Sequence, residues 1–292
     1  MVTNAERPVS VIVSNYNYER YLSESILSVL NQTYTNIQVI VVDDGSTDNS
    51  KQSLESIQDC RLQIIYQNNS GQASAFNAAF TECTGEFIAF LDSDDFWFER
   101  KLEVCVPFFD EGNISLVQHN LQVVGKDSKP CGGIHPNIEP GRKSIKDSYF
   151  KDNHTGFFSA TSGMICRKAD LDRIFPLDTS WKICADVAFS RPLPIFGDIV
   201  TLDEILGGYR MHGDNFWMHS KEQENWLENQ QRYVDFTNNW LVRCGFKEKI
   251  FFEKSDHYMM YSQKCGIPVP FFRKAGYWFR KAKRKLGNFS AS

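Results

Sequence analysis

The chain has 292 residues, of which 42% are hydrophobic and 14% aromatic, and its formal net charge at pH 7 is −4. This length and apolar content are enough for one large α/β domain with a smaller appendage. The nearly balanced charge argues against a nucleic-acid-binding protein, because such proteins carry a basic excess.

Hydropathy and cysteine usage predict where the chain works. No apolar run approaches the ~20 residues that span a bilayer, and the N-terminus lacks the charged and apolar pattern of a signal peptide. The eight cysteines form no Cys-x-x-Cys pair, and most of them adjoin apolar residues. This usage predicts reduced, buried thiols rather than disulfides or a zinc site, and therefore a cytoplasmic protein.

Four short apolar runs in the first third of the chain predict strands that are buried on both faces. They are residues 9–13, 37–42, 62–66 and 87–91. Apolar residues at helical spacing predict helices between them, at residues 19–30, up to about residue 57, and at 73–81. Strands that alternate with amphipathic helices indicate a Rossmann-like half with a mostly parallel central sheet.

The fourth of these strands ends in three acids, Asp92, Asp94 and Asp95. Carboxylates this close repel one another unless a cation lies among them. Ligands of open α/β sheets bind at the carboxyl ends of the strands, and Mg²⁺ and Mn²⁺ prefer one or two carboxylates together with phosphate oxygens. The stretch therefore indicates a metal–diphosphate site. The alternative is a solvated acidic turn that caps a helix beginning near Phe96.

Polar residues at the other strand ends are candidate nucleotide contacts. They are Ser14 and Tyr16 after the first strand, Asp43 and Asp44 after the second, and Gly71 and Gln72 at the start of the third helix. A glycine at a helix start lets the backbone approach a ligand closely, while an ordinary turn is the alternative at each position. No Gly-x-Gly-x-x-Gly or Walker A pattern follows a strand, which argues against a nicotinamide or flavin enzyme and against a P-loop kinase or ATPase.

Four segments, taken in order, resemble the inverting glycosyltransferase family 2, which has the GT-A fold. They are VSVIVSNYN at 9–17 with Tyr21 and Leu22, SVLNQTY at 28–34, VVDDGSTD at 41–48 and GEFIAFLDSDD at 85–95. The resemblance covers about residues 8–217. It implies an enzyme that uses a divalent metal, Mn²⁺ or Mg²⁺, and moves a sugar from a nucleotide-diphosphate sugar, a UDP-sugar in particular, to a hydroxyl acceptor. The acceptor would be a glycan, a lipid-linked sugar or a protein, in surface polysaccharide or glycan synthesis.

The resemblance also implies roles for individual residues. The nucleotide-sugar contacts would be Ser14 and Tyr16 in the base pocket, Asp44 or Asp43 on the base, and Asp92 and Ser93 near the ribose. Asp94, as the last acid of the Asp-x-Asp motif, would be the direct metal ligand. The chain departs from the family at Phe76, where many members have an arginine, so a cation on the phosphate side is missing.

The second half is expected to supply the acceptor side and the catalytic base. Asp186 stands among apolar residues, where burial would raise its pKa as a general base requires. The alternative is a helix N-cap, but the family places its base at the Asp of a Glu-Asp pair here, and Ala185 replaces the Glu. His212 belongs to a Tyr-Arg-x-His-x-x-Asn segment that resembles the family's and is a candidate metal ligand or diphosphate contact. The alternative is an ordinary core or surface histidine.

The rest of the chain predicts a two-part organisation. Residues 1–220 would form the GT-A domain, with a nucleotide-sugar half at about 8–110 and an acceptor half at 111–220 that contains a strand at 116–124, a mobile loop at 125–142 and a turn entering a strand at 160–167. Residues 221–292 would form a helical extension, with an amphipathic pattern over 221–266. Segment 271–286 holds seven basic residues among aromatic ones and no acid, which suits an anionic membrane surface on the inner face of the cell membrane; a solvated helix is the alternative.

Two other functions use similar residues. A sugar-nucleotidyltransferase would carry a Gly-rich loop with Arg or Lys after the first strand, and residues 14–20 lack such a loop. A non-catalytic nucleotide-sugar-binding module would keep the strand-end acids and lose catalytic groups, as the replacement by Ala185 suggests. Binding without turnover would distinguish this module from the enzyme.

Overall fold

The structure, a computed structural model, describes residues 7–152, 158–213, 215 and 226–251. Its strands are β1 (Val9–Asn15), β2 (Ile37–Asp44), β3 (Leu62–Gln67), β4 (Phe87–Asp92), β5 (Phe96–Trp97), β6 (Ile114–His119), β7 (Leu121–Val124), β8 (Pro130–His135), β9 (Gly141–Lys143), β10 (Met164–Arg167), β11 (Asp198–Leu202) and β12 (Gly207–Arg210). Its α-helices are α1 (Glu19–Leu30), α2 (Ser50–Glu55), α3 (Gln72–Glu82), α4 (Lys101–Cys105), α5 (Lys146–Asp152), α6 (Lys168–Leu171), α7 (Asp186–Ser190) and α8 (Trp226–Arg243). Short 3-10 helices lie at Val106–Asp110, Thr161–Gly163 and Leu193–Ile195.

Within these described ranges the strands form two sheets. The larger sheet has eight strands in the order β3-β2-β1-β4-β10-β6-β11-β9, and the smaller has four in the order β5-β12-β7-β8. Strands β3, β2, β1 and β4 are parallel neighbours, whereas β10 runs antiparallel between β4 and β6. The predicted α/β fold with a mostly parallel central sheet is confirmed, as are the first four strands and the helices between them.

The register of the parallel strands brings their carboxyl ends to one edge of the sheet. Asn15 of β1 lies opposite Asp43 of β2, and Ser14 lies opposite Asp92 of β4. Polar residues that are far apart in sequence therefore share one crevice, at the edge where ligands of such sheets bind.

Alternate side chains of the central strands point into two apolar cores. Ile12 and Ile40 pack in one core with Phe76 of α3, while Val11 packs in the other with Ile26 of α1. All five side chains are buried. Because both faces of the sheet are covered, the sequences of its strands are continuous apolar runs. This is why the sequence pattern identifies these strands.

The prediction that a helix begins near Phe96 is wrong. Phe96 and Trp97 form β5, which pairs with Gly207 and Gly208 of β12, and the next helix begins at Lys101. The pairing requires glycine, because a Cβ on Gly208 would lie 2.6 Å from two ring carbons of Phe96. The acidic turn therefore leads into a strand and does not cap a helix.

The interpretations of residues 116–124 as one strand and of 125–142 as a mobile loop are also wrong. The first segment forms β6 and β7, which belong to different sheets. The chain changes sheet at Asn120, whose side chain accepts a hydrogen bond from Ile138 N (2.7 Å) and donates one to Ile138 O (2.8 Å). In the predicted loop, β8 pairs with β7 and β9 pairs with β11. Pro130 is the first residue of β8, a position where a missing N–H is tolerated. The turn entering a strand at 160–167 is confirmed.

The C-terminal segment forms the amphipathic helix α8, which ends at Arg243; the described residues after it, 244–251, are not helical. Four of its side chains lie in the core of the main body, Tyr233, Val234, Trp240 and Leu241. The division of the chain at residue 220 stays a prediction, and the basic segment 271–286 lies outside the described residues. In the part of the chain that the structure describes, no helix has the length and apolar character required to cross a membrane.

The cysteines of the described residues are reduced thiols, outside any disulfide. Cys83, Cys105 and Cys166 are buried as predicted, and burial raises the pKa of the Cys83 and Cys105 thiols to about 12. The prediction of burial is wrong for Cys60 and Cys131, which are exposed. Cys60 lies in the connection between α2 and β3, and Cys131 lies on β8, whose residues are mostly exposed.

Candidate active site

A cavity of about 580 Å³ opens at the carboxyl ends of β1, β2 and β4. The predicted site residues that line it are Ser14, Tyr16, Asp44, Gly71, Gln72, Asp92, Ser93, Asp94 and Asp186. Two others, Asp43 and His212, are buried behind its wall. The cavity thus joins strand ends from the first half with a loop from the second half.

The three acids after β4 have different surroundings. Asp95 faces inward, where its carboxylate accepts hydrogen bonds from Ser162 Oγ (2.6 Å) and from Arg210 N (2.8 Å). Asp92 and Asp94 line the cavity instead. Asp95 therefore fixes the turn, while the other two carboxylates face the space where a ligand would bind.

Negative charge is crowded at this edge of the sheet. Burial raises the pKa of Asp92 well above its ordinary value, and the carboxylates of Asp95, Asp94 and Asp186 raise it further. Burial and Asp94 likewise raise the pKa of Asp95. A bound cation would relieve this repulsion.

His212 lies directly behind Asp94. The His212 Nε2 and Asp94 Oδ2 atoms are 3.0 Å apart, and the imidazole ring packs against the rings of Tyr18 and Tyr21, with centroid distances of 5.5 and 4.9 Å. Asn215 supports the pair, since its Nδ2 lies 3.3 Å from Asp94 Oδ2. The predicted metal ligands are thus neighbours, although they are far apart in sequence.

The side of the cavity at the end of β2 is held by Asp43 and Asp44, the last two residues of that strand. Asp43 accepts a hydrogen bond from Asn15 Nδ2 (2.8 Å) and so fixes the end of β1. Asp44 accepts hydrogen bonds from the N–H groups of Ser70 and Gly71, both at 2.8 Å. Both carboxylates therefore have bonds within the protein, and Asp44 also faces the cavity.

The glycine of the Gly71–Gln72 pair is required by close packing. Gly71 has a φ of +89°, which side chains rarely adopt, and a Cβ there would lie 2.6 Å from Lys182 Cδ. Gln72 uses its side chain within the protein: its Oε1 accepts a hydrogen bond from Ala185 N at 2.8 Å.

Asp186 is the first residue of α7, and the N-cap residue is Ala185. The N-cap alternative for Asp186 is therefore wrong. Burial raises the pKa of its carboxyl, and the positive charge of Arg191 opposes this increase. A carboxyl with a raised pKa that faces a cavity suits a general base.

Arg210 and Ser162 hold the acidic turn, but sequence reasoning did not single them out. Arg210 is fully buried; its Nε donates to Asp94 O (2.6 Å) and another nitrogen donates to Glu24 (2.8 Å). Ser162 Oγ accepts from Asp92 N (3.1 Å) as well as binding Asp95. Arg210 belongs to the Tyr-Arg-x-His segment, so its position in that motif could have identified it. Ser162 belongs only to a turn of small residues, a pattern that does not indicate a role.

The sequence model of the family described as Glycosyl transferase family 2 matches residues 10–175, more than half of the chain. The chain belongs to this family. The glycosyltransferase is 35% identical over 259 residues to the uncharacterized glycosyltransferase alr2836 of Nostoc sp. (strain PCC 7120 / SAG 25.82 / UTEX 2576), which covers 86% of this chain and 80% of that relative. It is also 40% identical over 121 residues to WfgD of Escherichia coli, a UDP-Glc:alpha-D-GlcNAc-diphosphoundecaprenol beta-1,3-glucosyltransferase, over 41% of this chain and 48% of WfgD.

Solved structures agree with this assignment. The glycosyltransferase matches a crystal structure of S. aureus TarS with a TM-score of 0.58 and 23% identity, over 80% of this chain and 43% of the TarS chain. It matches TarS 1-349 in complex with UDP-GlcNAc with a TM-score of 0.56 and 21% identity, over 80% of this chain and 73% of that chain. Similarity at this identity shows the fold alone, which is the GT-A fold. The predicted fold and the predicted class of transferase enzyme are confirmed.

Proposed function

We propose that this glycosyltransferase moves a sugar from a nucleotide-diphosphate sugar, a UDP-sugar in particular, to a hydroxyl acceptor with inversion, assisted by Mn²⁺ or Mg²⁺. The observation that carries the proposal is the shared cavity, because Asp94 and Asp186 line the same space of about 580 Å³. Asp94 is the candidate metal ligand beside the leaving diphosphate, and Asp186 is the candidate base beside the acceptor.

The donor would lie along the first-half strand ends. Ser14 and Tyr16 would contact the base, with Asp44 or Asp43 beside it, while Asp92 and Ser93 would lie near the ribose. The crystal structures of TarS 1-349 in complex with UDP and with UDP-GlcNAc support a UDP-sugar as the donor. Lys182 and Arg191 also line the cavity, so cations are available to a diphosphate although Phe76 replaces the arginine of many family members.

The residues fit a divalent cation. A carboxylate is a preferred ligand of Mg²⁺ and Mn²⁺, a neutral imidazole is a common metal ligand, and Asp94 and His212 supply these groups 3.0 Å apart. Ser93 Oγ is buried nearby without a hydrogen-bond partner in the protein. Among the described residues, no three His, Cys, Asp or Glu side chains form a group that could hold a metal. Phosphate oxygens and water would therefore complete the coordination, as is usual for Mg²⁺; when bound, the cation neutralises the leaving diphosphate.

Asp186 would act as the general base. Its carboxylate takes the proton from the acceptor hydroxyl, and the resulting oxygen nucleophile forms a bond to the anomeric carbon of the donor sugar. The bond from that carbon to the diphosphate oxygen breaks at the same time, and the nucleoside diphosphate leaves with the electron pair. One displacement from the opposite face inverts the anomeric centre and needs no covalent enzyme intermediate.

One relative supports a proposal for the acceptor class. WfgD acts on a sugar carried by diphosphoundecaprenol, which supports a lipid-linked sugar as the acceptor, in synthesis of a surface polysaccharide or another glycan; a protein acceptor is the alternative. Such an acceptor lies at a membrane, and we place the enzyme in the cytoplasm with segment 271–286 on the membrane surface. Flotation with anionic liposomes tests this placement: the full chain is expected to bind, and a chain without residues 271–292 is expected to bind less. Equal binding would contradict it.

The test of the proposed function is a thermal-shift titration with UDP, UDP-glucose and UDP-GlcNAc, each with and without Mn²⁺ or Mg²⁺. A ligand that binds only the folded state raises the unfolding midpoint, and we expect a rise that needs both the nucleotide and the metal. Asp94→Ala is expected to lose the metal-dependent part. The control is Asp59→Ala, which removes a half-buried acid paired with Arg61 that does not line the cavity.

Turnover then separates the possible functions. The donor with the largest shift is assayed for release of UDP, first with water and then with a short-chain GlcNAc-diphospholipid as acceptor. Metal-dependent release supports the proposal. Donor binding without release of UDP in the presence of either acceptor would instead favour a non-catalytic module. Formation of the nucleotide sugar from UTP and a sugar phosphate would favour a nucleotidyltransferase.

A further inference from the structure

Gln72 makes two hydrogen bonds to the segment that precedes Asp186. Its N–H donates to Lys182 O at 2.9 Å, and its side-chain Oε1 accepts from Ala185 N at 2.8 Å. Ala185 is the residue directly before Asp186. The side chain of Gln72 therefore acts on the main chain at the point where α7 begins.

The main chain at this point needs support from its surroundings. Cys184 has a φ of +52°, a left-handed conformation that is uncommon for a residue with a side chain and persists only where neighbouring groups impose it. The N–H that Gln72 binds belongs to the next residue. Because α7 has only five residues, the direction of the Asp186 carboxyl depends on how this segment is held.

The loop that carries Gln72 is itself fixed to the sheet. Asp44, at the end of β2, binds the N–H groups of Ser70 and Gly71. Lys182 Nζ donates to Ser70 O at 2.8 Å, which adds a further bond between the two loops. Gln72 thus connects a rigid strand end to the loop of the candidate base.

We propose that Gln72 is a positioning residue, which orients Asp186 through its hydrogen bond to Ala185 N–H. This inference rests on the proposed role of Asp186 as the base. It replaces the expectation, based on sequence, that Gln72 contacts the donor. It also accounts for how the segment is held although Ala185, in place of the family's Glu, has no polar side chain of its own.

The direct test is hydrogen exchange of the segment 181–190, measured by mass spectrometry in Gln72→Met, Gln72→Glu and Gln63→Met. Methionine keeps the length of the side chain but lacks the acceptor oxygen, so we expect faster exchange in Gln72→Met. Glutamate keeps an acceptor oxygen and should leave exchange as in the wild type. Gln63→Met is the matched control, because Gln63 lies on β3 and bonds Glu82 outside the cavity.

Kinetics test the consequence for the reaction, with UDP release from the donor that gives the largest metal-dependent thermal shift. We expect kcat of Gln72→Met to fall about 10- to 100-fold, because a shift of a reacting group by about 1 Å has an effect of this size. The thermal shift with UDP should stay unchanged. The acid limb of the kcat profile should move to lower pH, since a carboxyl that becomes better hydrated loses its raised pKa. Gln72→Glu should restore kcat to within a few-fold.

The outcomes separate this inference from the proposed function. Unchanged exchange over 181–190 in Gln72→Met would overturn the positioning role, and so would weaker UDP binding with unchanged kcat, which would make Gln72 a donor contact. If Asp186→Asn is inactive while Gln72→Met matches the wild type, only the positioning role is wrong. If Asp186→Asn keeps its rate, the proposed base is wrong. Should Gln72→Met not fold, Gln72→Lys makes the same comparison, because lysine also lacks an acceptor.

Discussion

The two walls of the cavity are held in place by different means. The first wall, at the carboxyl ends of β1, β2 and β4, takes its geometry from strand register, so that Ser14 lies beside Asp92 through backbone pairing. The second wall includes residues 181–184, Asp186, Tyr209 and Asn215. Beside backbone pairing such as that of Tyr209 with β7, it depends on side-chain bonds to distant residues, such as those of Asn215 to Asp94 and of Ala185 N to Gln72. Individual side chains therefore matter more to the geometry of the second wall.

The largest expected effect tests whether the second wall carries the chemistry. Asp186→Asn keeps the size of the side chain but removes the base, so we expect transfer to fall about 10³-fold, within the usual range for general base catalysis. Initial rates of UDP release measure this, and nucleotide binding should be unchanged. Asp178→Asn, outside the cavity, is the control and should keep its rate. A rate within tenfold of the wild type in Asp186→Asn would show that the base lies elsewhere.

Asp94→Asn sharpens the comparison, because it separates the chemistry of Asp94 from its role in joining the walls. The amide keeps an oxygen near His212 but loses the charge that a metal requires. We expect the rate to fall about 100-fold, as when one electrostatic stabiliser is removed, and the Mn²⁺ concentration for half-maximal rate to rise. The free energy of unfolding should change by less than about 1 kcal/mol. A large loss of stability would instead make Asp94 chiefly structural.

Arg210→Met tests how much the hydrogen bonds of Arg210, which hold the acidic turn, contribute to stability. Arg210 is buried and binds the Asp94 carbonyl, Ser128 and Glu24, so its loss leaves the buried Asp94 carbonyl without this donor and breaks two partly buried bonds. We expect a decrease of about 3 kcal/mol in the free energy of unfolding, measured by urea titration. Arg100→Met is the matched control, because its ion pair is exposed and should contribute less than about 1 kcal/mol. Equal losses in both variants would contradict the role of Arg210.

A smaller effect should appear at the junction of the two sheets, where His119 ends β6. Burial lowers the pKa of His119 to about 3, so the unfolded chain binds a proton below about pH 6.5 while the folded chain does not. The stability associated with neutral His119 is therefore present above pH 6.5 and is lost as the pH falls toward 3. Relative to His119→Asn, the wild type should lose about 2 kcal/mol more between pH 7 and pH 4 in urea titrations. Parallel pH profiles would show that His119 is not held neutral.

The same difference between the walls explains what the sequence predicts. The first wall follows from four apolar runs and the polar residues after them, since parallel strands place these residues at one edge. The second wall depends on bonds such as those of Arg210 and Gln72, which no local pattern encodes. The family motif marked Asp186 and His212, but only the folded chain places His212 against Asp94. The strands β8 and β9 escaped the sequence analysis because the glycines and prolines of this segment are typical of loops. In addition, β9 pairs with the distant strand β11, whereas β8 forms a hairpin with its neighbour β7.

Helix α8 lies outside the segment that the family model matches, yet it closes the back of the second wall. Tyr149 and Tyr233 have hydroxyl oxygens 3.1 Å apart, and Arg191 stacks 4.5 Å from the ring of Tyr233. A protein shortened to end at residue 220 would therefore uncover an apolar surface on the main body, which favours aggregation. Any excised catalytic fragment of this enzyme needs to retain residues through Ile250, the last buried apolar residue of the described chain.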